Sequence, residues 1–108
     1  MKVLLRKSQA KEPFSFAFVD DKGKTLLKSE NYKAKKSARN GVASVQNNCQ
    51  NDKRYELKES KNGRFFFNLK AANGQIVGTS TMFASTSERN EAITLIKNQA
   101  VEVQVEET

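Results

Sequence analysis

Residues 65–80 read Phe65-Phe-Phe-Asn-Leu-Lys-Ala-Ala-Asn-Gly-Gln-Ile-Val-Gly-Thr-Ser80, and the fold is decided here. Phe65, Phe67 and Leu69 alternate with Phe66, Asn68 and Lys70, the period of two expected of a strand with one buried face. Asn73-Gly74 predicts a tight hairpin built on a positive-φ pair, and Ile76-Val77 begins the returning strand. The pattern occurs twice. A displacement of 51 positions sets Phe14-Ser-Phe-Ala-Phe18 on Phe65-Phe-Phe-Asn-Leu69 without a gap, Gly23 on Gly74, Ser29 on Ser80 and Tyr32 on Phe83. In the same register Val42 meets Ile93, Val45 meets Ile96 and Cys49 meets Ala100. Apolar positions coincide while identities are few, as expected of a duplicated unit constrained mainly by burial.

Each unit reads as three strands and a helix. The first has strands over 2–7, 14–19 and 25–30 and a helix over 37–49, where Ala38, Val42, Val45 and Cys49 form one apolar stripe. The second opens with a strand over 54–59, turns at Asn62-Gly63, forms the central hairpin and continues into a helix over 87–100. Ser85-Thr-Ser-Glu88 has the spacing of a capping box. Val101, Val103 and Val105, alternating with Glu102, Gln104 and Glu106, predict a last strand. Gly23, Gly63 and Gly74 fall in turns, and Gly41 and Gly78 where helix and sheet approach closely. The expectation is a single α+β domain of two repeats, about 1–51 and 52–108. They share one mainly antiparallel sheet with both helices on its phenylalanine-bearing face.

Two strings resemble the YegP-like proteins: Phe67 to Ser80, and Asn40-Gly-Val-Ala-Ser-Val-Gln-Asn-Asn-Cys49. The resemblance spans nearly the whole chain. It implies a β(3)-α-β unit used twice, with C-terminal strands exchanged, so that residues 54–59 both end the first unit and begin the second. It also implies that single-unit relatives reach the same sheet by dimerising, so that a two-unit chain can be a monomer, the state expected here over a dimer. Ala34 departs from the family pattern, standing where a helix-capping serine is usual and where the second unit has Ser85.

Composition narrows the function. No apolar run approaches the roughly 18 residues of a membrane span, and the opening Met-Lys-Val-Leu-Leu-Arg-Lys is too short in apolar residues for a secretory signal. One cysteine forms no internal disulfide, which suggests a reducing, cytoplasmic compartment. With no histidine and no metal-ligand or nucleotide-loop spacing, no metal or cofactor is expected and no catalytic residue is assigned. Cys49 on the apolar stripe reads as a small core residue, and Asp20-Asp21 reads as turn residues.

Two binding readings remain. Net charge is +7, all of it from residues 1–51, with 11 Lys/Arg against 4 Asp/Glu; residues 52–108 carry 8 of each. Lys33, Lys35, Lys36 and Arg39 flank the first helix start, where unpaired N–H groups already favour an anion. With Lys22, Lys24 and Lys28 they form a candidate site for a polyanion such as nucleic-acid backbone. Alternatively, Phe66, Val77 and Leu26 fall by alternation on the open sheet face, with Ala17 and Val19, as a candidate surface for a protein partner or a second copy. An enzyme would instead need a pocket joining Asp21, Tyr32 or Tyr55.

Overall fold

The computed structural model describes residues 1–107. The strands are β1 (Lys2–Lys7), β2 (Phe14–Val19), β3 (Thr25–Lys28), β4 (Tyr55–Glu59), β5 (Phe65–Lys70), β6 (Ile76–Ser80) and β7 (Val105–Glu107). Helix α1 (Lys35–Asn48) follows β3, and α2 (Thr86–Gln99) follows β6. They form one seven-stranded sheet in the order β4-β5-β6-β3-β2-β1-β7. Every neighbouring pair is antiparallel except β1 and β7, which run parallel. The exchange of strands is visible in this order. β4, which follows α1, pairs with β5 of the second unit, while β7, which follows α2, pairs with β1 of the first.

The two units meet at β3 and β6, where Lys28 lies opposite Thr79, its own counterpart in the repeat. A local twofold axis therefore passes through this pair. The repeat extends to single hydrogen bonds. Phe14 bridges Tyr32 as Phe65 bridges Phe83. Phe16 N–H donates to Ser29 Oγ and Phe67 N–H to Ser80 Oγ, each at 2.9 Å. One core results. Phe16, Phe18, Leu27, Phe67 and Leu69 are fully buried in a single cluster with Val42, Val45, Cys49, Ile96 and Ala100 from the helices. α1 packs on β2 and β1 and also on β5 and β6 of the other unit.

Three local expectations are corrected. Among the described residues no non-glycine has positive φ, so Asn73 does not form half of a positive-φ pair. Gly74 N–H instead bonds Ala71 O at 3.0 Å and Ala71 N–H bonds Gln75 O at 2.8 Å, a turn closed by glycine alone at φ +85. The last strand starts at Val105, not Val101: a 3₁₀ turn, Ala100–Glu102, intervenes. Gln46 of α1 fastens that turn, its amide donating to Ala100 O (3.0 Å) and Val103 O (3.1 Å).

The third correction concerns side-chain direction. The β2–β3 ladder slips at Phe18/Val19 and the β5–β6 ladder at Leu69/Lys70, leaving Leu26 and Val77 as the extra residues of equivalent β-bulges. A bulge interrupts alternation. Leu26, 5% exposed, lies with Ala92 and Leu95 of α2, and Val77 packs against the core beside Tyr32. Neither belongs to the open face, whereas Phe66, opposite Lys58, does. The three residues form no continuous surface.

The helix starts differ as the sequence implied. Ser85 caps α2 by accepting from Glu88 N–H at 3.1 Å, and the Glu88 carboxylate accepts from Ala84 N–H at 3.3 Å. Ala34 at the α1 N-cap supplies no side-chain bond, and no acidic residue stands in the first turn. Ala34→Ser is expected to stabilise the protein by about 1 kcal/mol, measured as a rise in Tm of roughly 4–8 °C. An unchanged Tm would show that the free N–H groups gain nothing from a hydroxyl acceptor.

Candidate functional site

The C-terminal ends of the parallel strands β1 and β7 meet the start of α1. Arg6 and Lys7 end β1, Glu107 ends β7 beside Leu5, and Lys35, Lys36 and Arg39 occupy the first turns of α1. Leu5, Arg6, Lys7, Phe14, Lys35 and Glu107 line a cavity of about 170 Å³. The Lys7 ammonium stands 5.8 Å from the centre of the Phe14 ring, against which a cation is attracted electrostatically. Glu107 is the one carboxylate in the cavity lining. Its Oε1 accepts from Arg39 at 2.6 Å and meets Lys35 Nζ at 3.1 Å.

Those contacts, the Arg39 bond foremost and Lys35 second, hold the Glu107 carboxyl below its ordinary value of 4.5. A depressed carboxylate pKa means that the ion pair contributes above the unfolded-state pKa and is lost as pH falls through the folded one. A carboxyl-carbon NMR titration is expected to place the Glu107 midpoint below 4.5, and Arg39→Ala to move it upward. A midpoint indifferent to Arg39 would contradict the contact.

The seven cations singled out in the sequence occupy three places. Lys33, Lys35, Lys36 and Arg39 lie at or just before the start of α1, Lys33 and Lys36 exposed and without a carboxylate partner among the described residues. Lys22 and Lys24 sit at the β2–β3 hairpin tip, at the far end of β2, roughly 17 Å of strand away. There Lys24 Nζ lies 5.7 Å from the Phe83 ring and shares a cavity with Asp20, Glu88 and Glu91. Lys28 lies at mid-sheet between Ala17 and Thr79. Arg6 and Lys7, which the sequence reading passed over as strand residues, join the first cluster instead. Their positively charged neighbours in sequence carried no sign that β7 would bring α1 and β1 together there.

A second polar array runs across the open face of the other unit. Thr79 Oγ1 donates to Asn68 Oδ1 at 2.8 Å, and Asn68 Nδ2 donates to Glu56 Oε1 at 2.9 Å. Lys70 Nζ donates to Glu56 Oε2 at 2.8 Å, and this bond first, then that from Asn68, depresses the Glu56 pKa.

Asp21, Tyr32 and Tyr55 each meet a different partner, Tyr32 stacking on Phe16. Asp20 Oδ1 accepts from the N–H groups of Lys22 and Lys24, both at 2.9 Å, and Asp21 pairs with the N-terminal ammonium at 2.6 Å. Cys49 is buried, and burial pushes its thiol pKa up. Burial likewise raises Tyr32 and Tyr55, the latter bonded through its hydroxyl to Cys49 O at 2.5 Å.

The fold is therefore a tandem β(3)-α-β protein with exchanged C-terminal strands and one basic end. The chain belongs to the family described as "Domain of unknown function (DUF1508)", which matches it twice, over residues 10–56 and 60–107. A UPF0339 protein of Acinetobacter baylyi is 46% identical over 101 residues, covering 93% of this chain and 91% of its own. YegP of Escherichia coli is 46% identical over 84 residues, covering 78% and 76%. The solution structure of E. coli YegP matches with a TM-score of 0.90 at 40% identity, covering 99% of this chain and 91% of that one. That of a Shewanella oneidensis UPF0339 protein gives 0.91 at 37%, covering 98% and 89%. The resemblance read from Phe67–Ser80 and 40–49 thus holds, with the repeat and the fold it implied. Among the described residues no helix is long and apolar enough to cross a membrane.

Proposed function

We propose that the protein is a non-enzymatic cytosolic binding module whose basic end takes a polyanion, with nucleic-acid backbone as the ligand class. The supporting observation is the gathering of Arg6, Lys7 and Lys35 around one cavity with Arg39 at its rim, drawn from β1 and α1 and offset by Glu107. Lys33 and Lys36 extend the patch along the start of α1, whose N–H groups have no side-chain cap. Cations there oppose the helix dipole by a few tenths of a kcal/mol, and the matching second-unit residues Ala84, Thr86, Ser87 and Asn90 are neutral. The fold is thus built without them in one unit and carries them in the other.

Fluorescence anisotropy with labelled oligonucleotides, at a series of salt concentrations, tests the reading. Binding at low salt is expected to weaken linearly on a log–log plot. Replacing Lys35 and Lys36 together by glutamate is expected to weaken it at least about tenfold and to reduce the slope by up to about 2. No binding at low salt, or binding unchanged by the double substitution, overturns it.

A further inference from the structure

β1 and β4 hold equivalent places in the two repeats, but only β1 is covered on its outer side. Leu5 pairs with Phe16 and Leu57 with Phe67, so these strands correspond at an interval of 52, the β1–β2 loop being one residue longer than the β4–β5 loop. β7 lies on β1, and Leu5 is 2% exposed; β4 ends the sheet, and Leu57 is 53% exposed.

The backbone of that edge faces outward. Phe65 exchanges both its N–H and C=O bonds with Phe83, and Phe67 N–H goes to Ser80 Oγ, so both turn away from β4. In an antiparallel ladder, directly opposed residues either bond each other or both turn away. Leu57, opposite Phe67, and Glu59, opposite Phe65, therefore direct N–H and C=O to the free edge. Tyr55 directs its C=O there, its N–H being bound to Asp52 O.

We infer that β4 is a self-pairing edge, to which a second copy of this chain adds its own β4 antiparallel about Leu57. In that register Leu57 meets Leu57 of the partner subunit, and Glu56 meets the partner's Lys58. Tyr55 meets the partner's Glu59. Opposite charges face each other twice across the seam. Moving the centre by one residue would set Glu56 against the partner's Glu56, or Lys58 against the partner's Lys58. A foreign β7, laid on β4 as β7 lies on β1, would set the partner's Glu106 against Glu56. Charge therefore selects the homotypic antiparallel register.

A further observation favours it. The units of one chain already meet in this manner, since β3 and β6 pair antiparallel about a local twofold with the helices on one face. The duplicated chain still completes its core alone; the seam only extends the sheet. Five residues a side form a small interface, so association depends on concentration.

Sedimentation velocity from micromolar to millimolar protein tests the pairing, with a weight-average mass expected to climb toward twice the chain mass. Leu57→Pro removes an N–H that the sheet does not use, which an edge strand tolerates, and Lys58→Glu sets like charges across the seam. Each is expected to weaken association at least about tenfold with an unchanged far-ultraviolet circular dichroism spectrum. Combining Lys58→Glu with Glu56→Lys is expected to restore it. A chain that remains monomeric to millimolar concentration overturns the inference, and so does a dimer indifferent to both single substitutions. The outcome is independent of polyanion binding.

Discussion

Gly78→Leu is expected to destabilise the protein by more than about 3 kcal/mol, and pairing it with Leu27→Gly to recover at least half of the loss. Leu27 and Gly78 are counterparts in the repeat and lie against each other near the local twofold. A Cβ at residue 78 would stand 2.9 Å from Leu27 Cγ and 3.0 and 3.1 Å from its two δ carbons. Leu27 is fully buried and has nowhere to move. Two identical leucines cannot share this place, so the repeats differ where they touch. Leu27→Gly alone opens a cavity, with a cost of about 2–5 kcal/mol for loss of a buried leucine and about 0.5–1 kcal/mol more for glycine in a strand. Denaturant titration of the four species completes the cycle. A double variant no more stable than the sum of its singles would mean that the two positions do not compensate one another.

Phe67→Ala is expected to cost about 3–5 kcal/mol, a large part of the roughly 5–15 kcal/mol by which domains are stable. Phe67 is fully buried, packs 5.5 Å from the Tyr55 ring and holds its amide on Ser80. Its ring belongs to the cluster that includes Phe16 and Phe18 of the other unit. Phe67→Leu, which keeps most of the apolar volume, is expected to cost distinctly less in the same denaturant titration. Equal costs would place Phe67 outside a close-packed core.

The strands and helices were legible because burial repeats with a fixed period, and because the repeat supplied two readings of each element. Phe14 to Phe18 and Phe65 to Leu69 could hardly be misread together. Leu26 and Val77 were misplaced since one extra residue in a ladder reverses every later side chain, and no residue type marks a bulge. The turn at Asn73-Gly74 was legible as a turn, but its type depends on where the strands end. Arg89 shows another limit: an arginine reads as solvent-facing, yet here it is 9% exposed, in the place of Ala38, with its guanidinium 5.8 Å from the Phe65 ring centre. The basic cavity was half legible. The run Lys33-Ala-Lys-Lys36 announced it, but Arg6 and Lys7 join only through the parallel β1–β7 pairing, a contact between opposite ends of the chain.

Native-state hydrogen exchange of wild type and Phe67→Ala measures most directly whether the two repeats are one cooperative body. With a shared core, the slowest amides of β2 lose as much protection as those of β5, although the substitution lies wholly in the second unit. Loss of protection confined to residues 55–80, with β2 and β3 exchanging as in wild type, would mean that each repeat holds a core of its own.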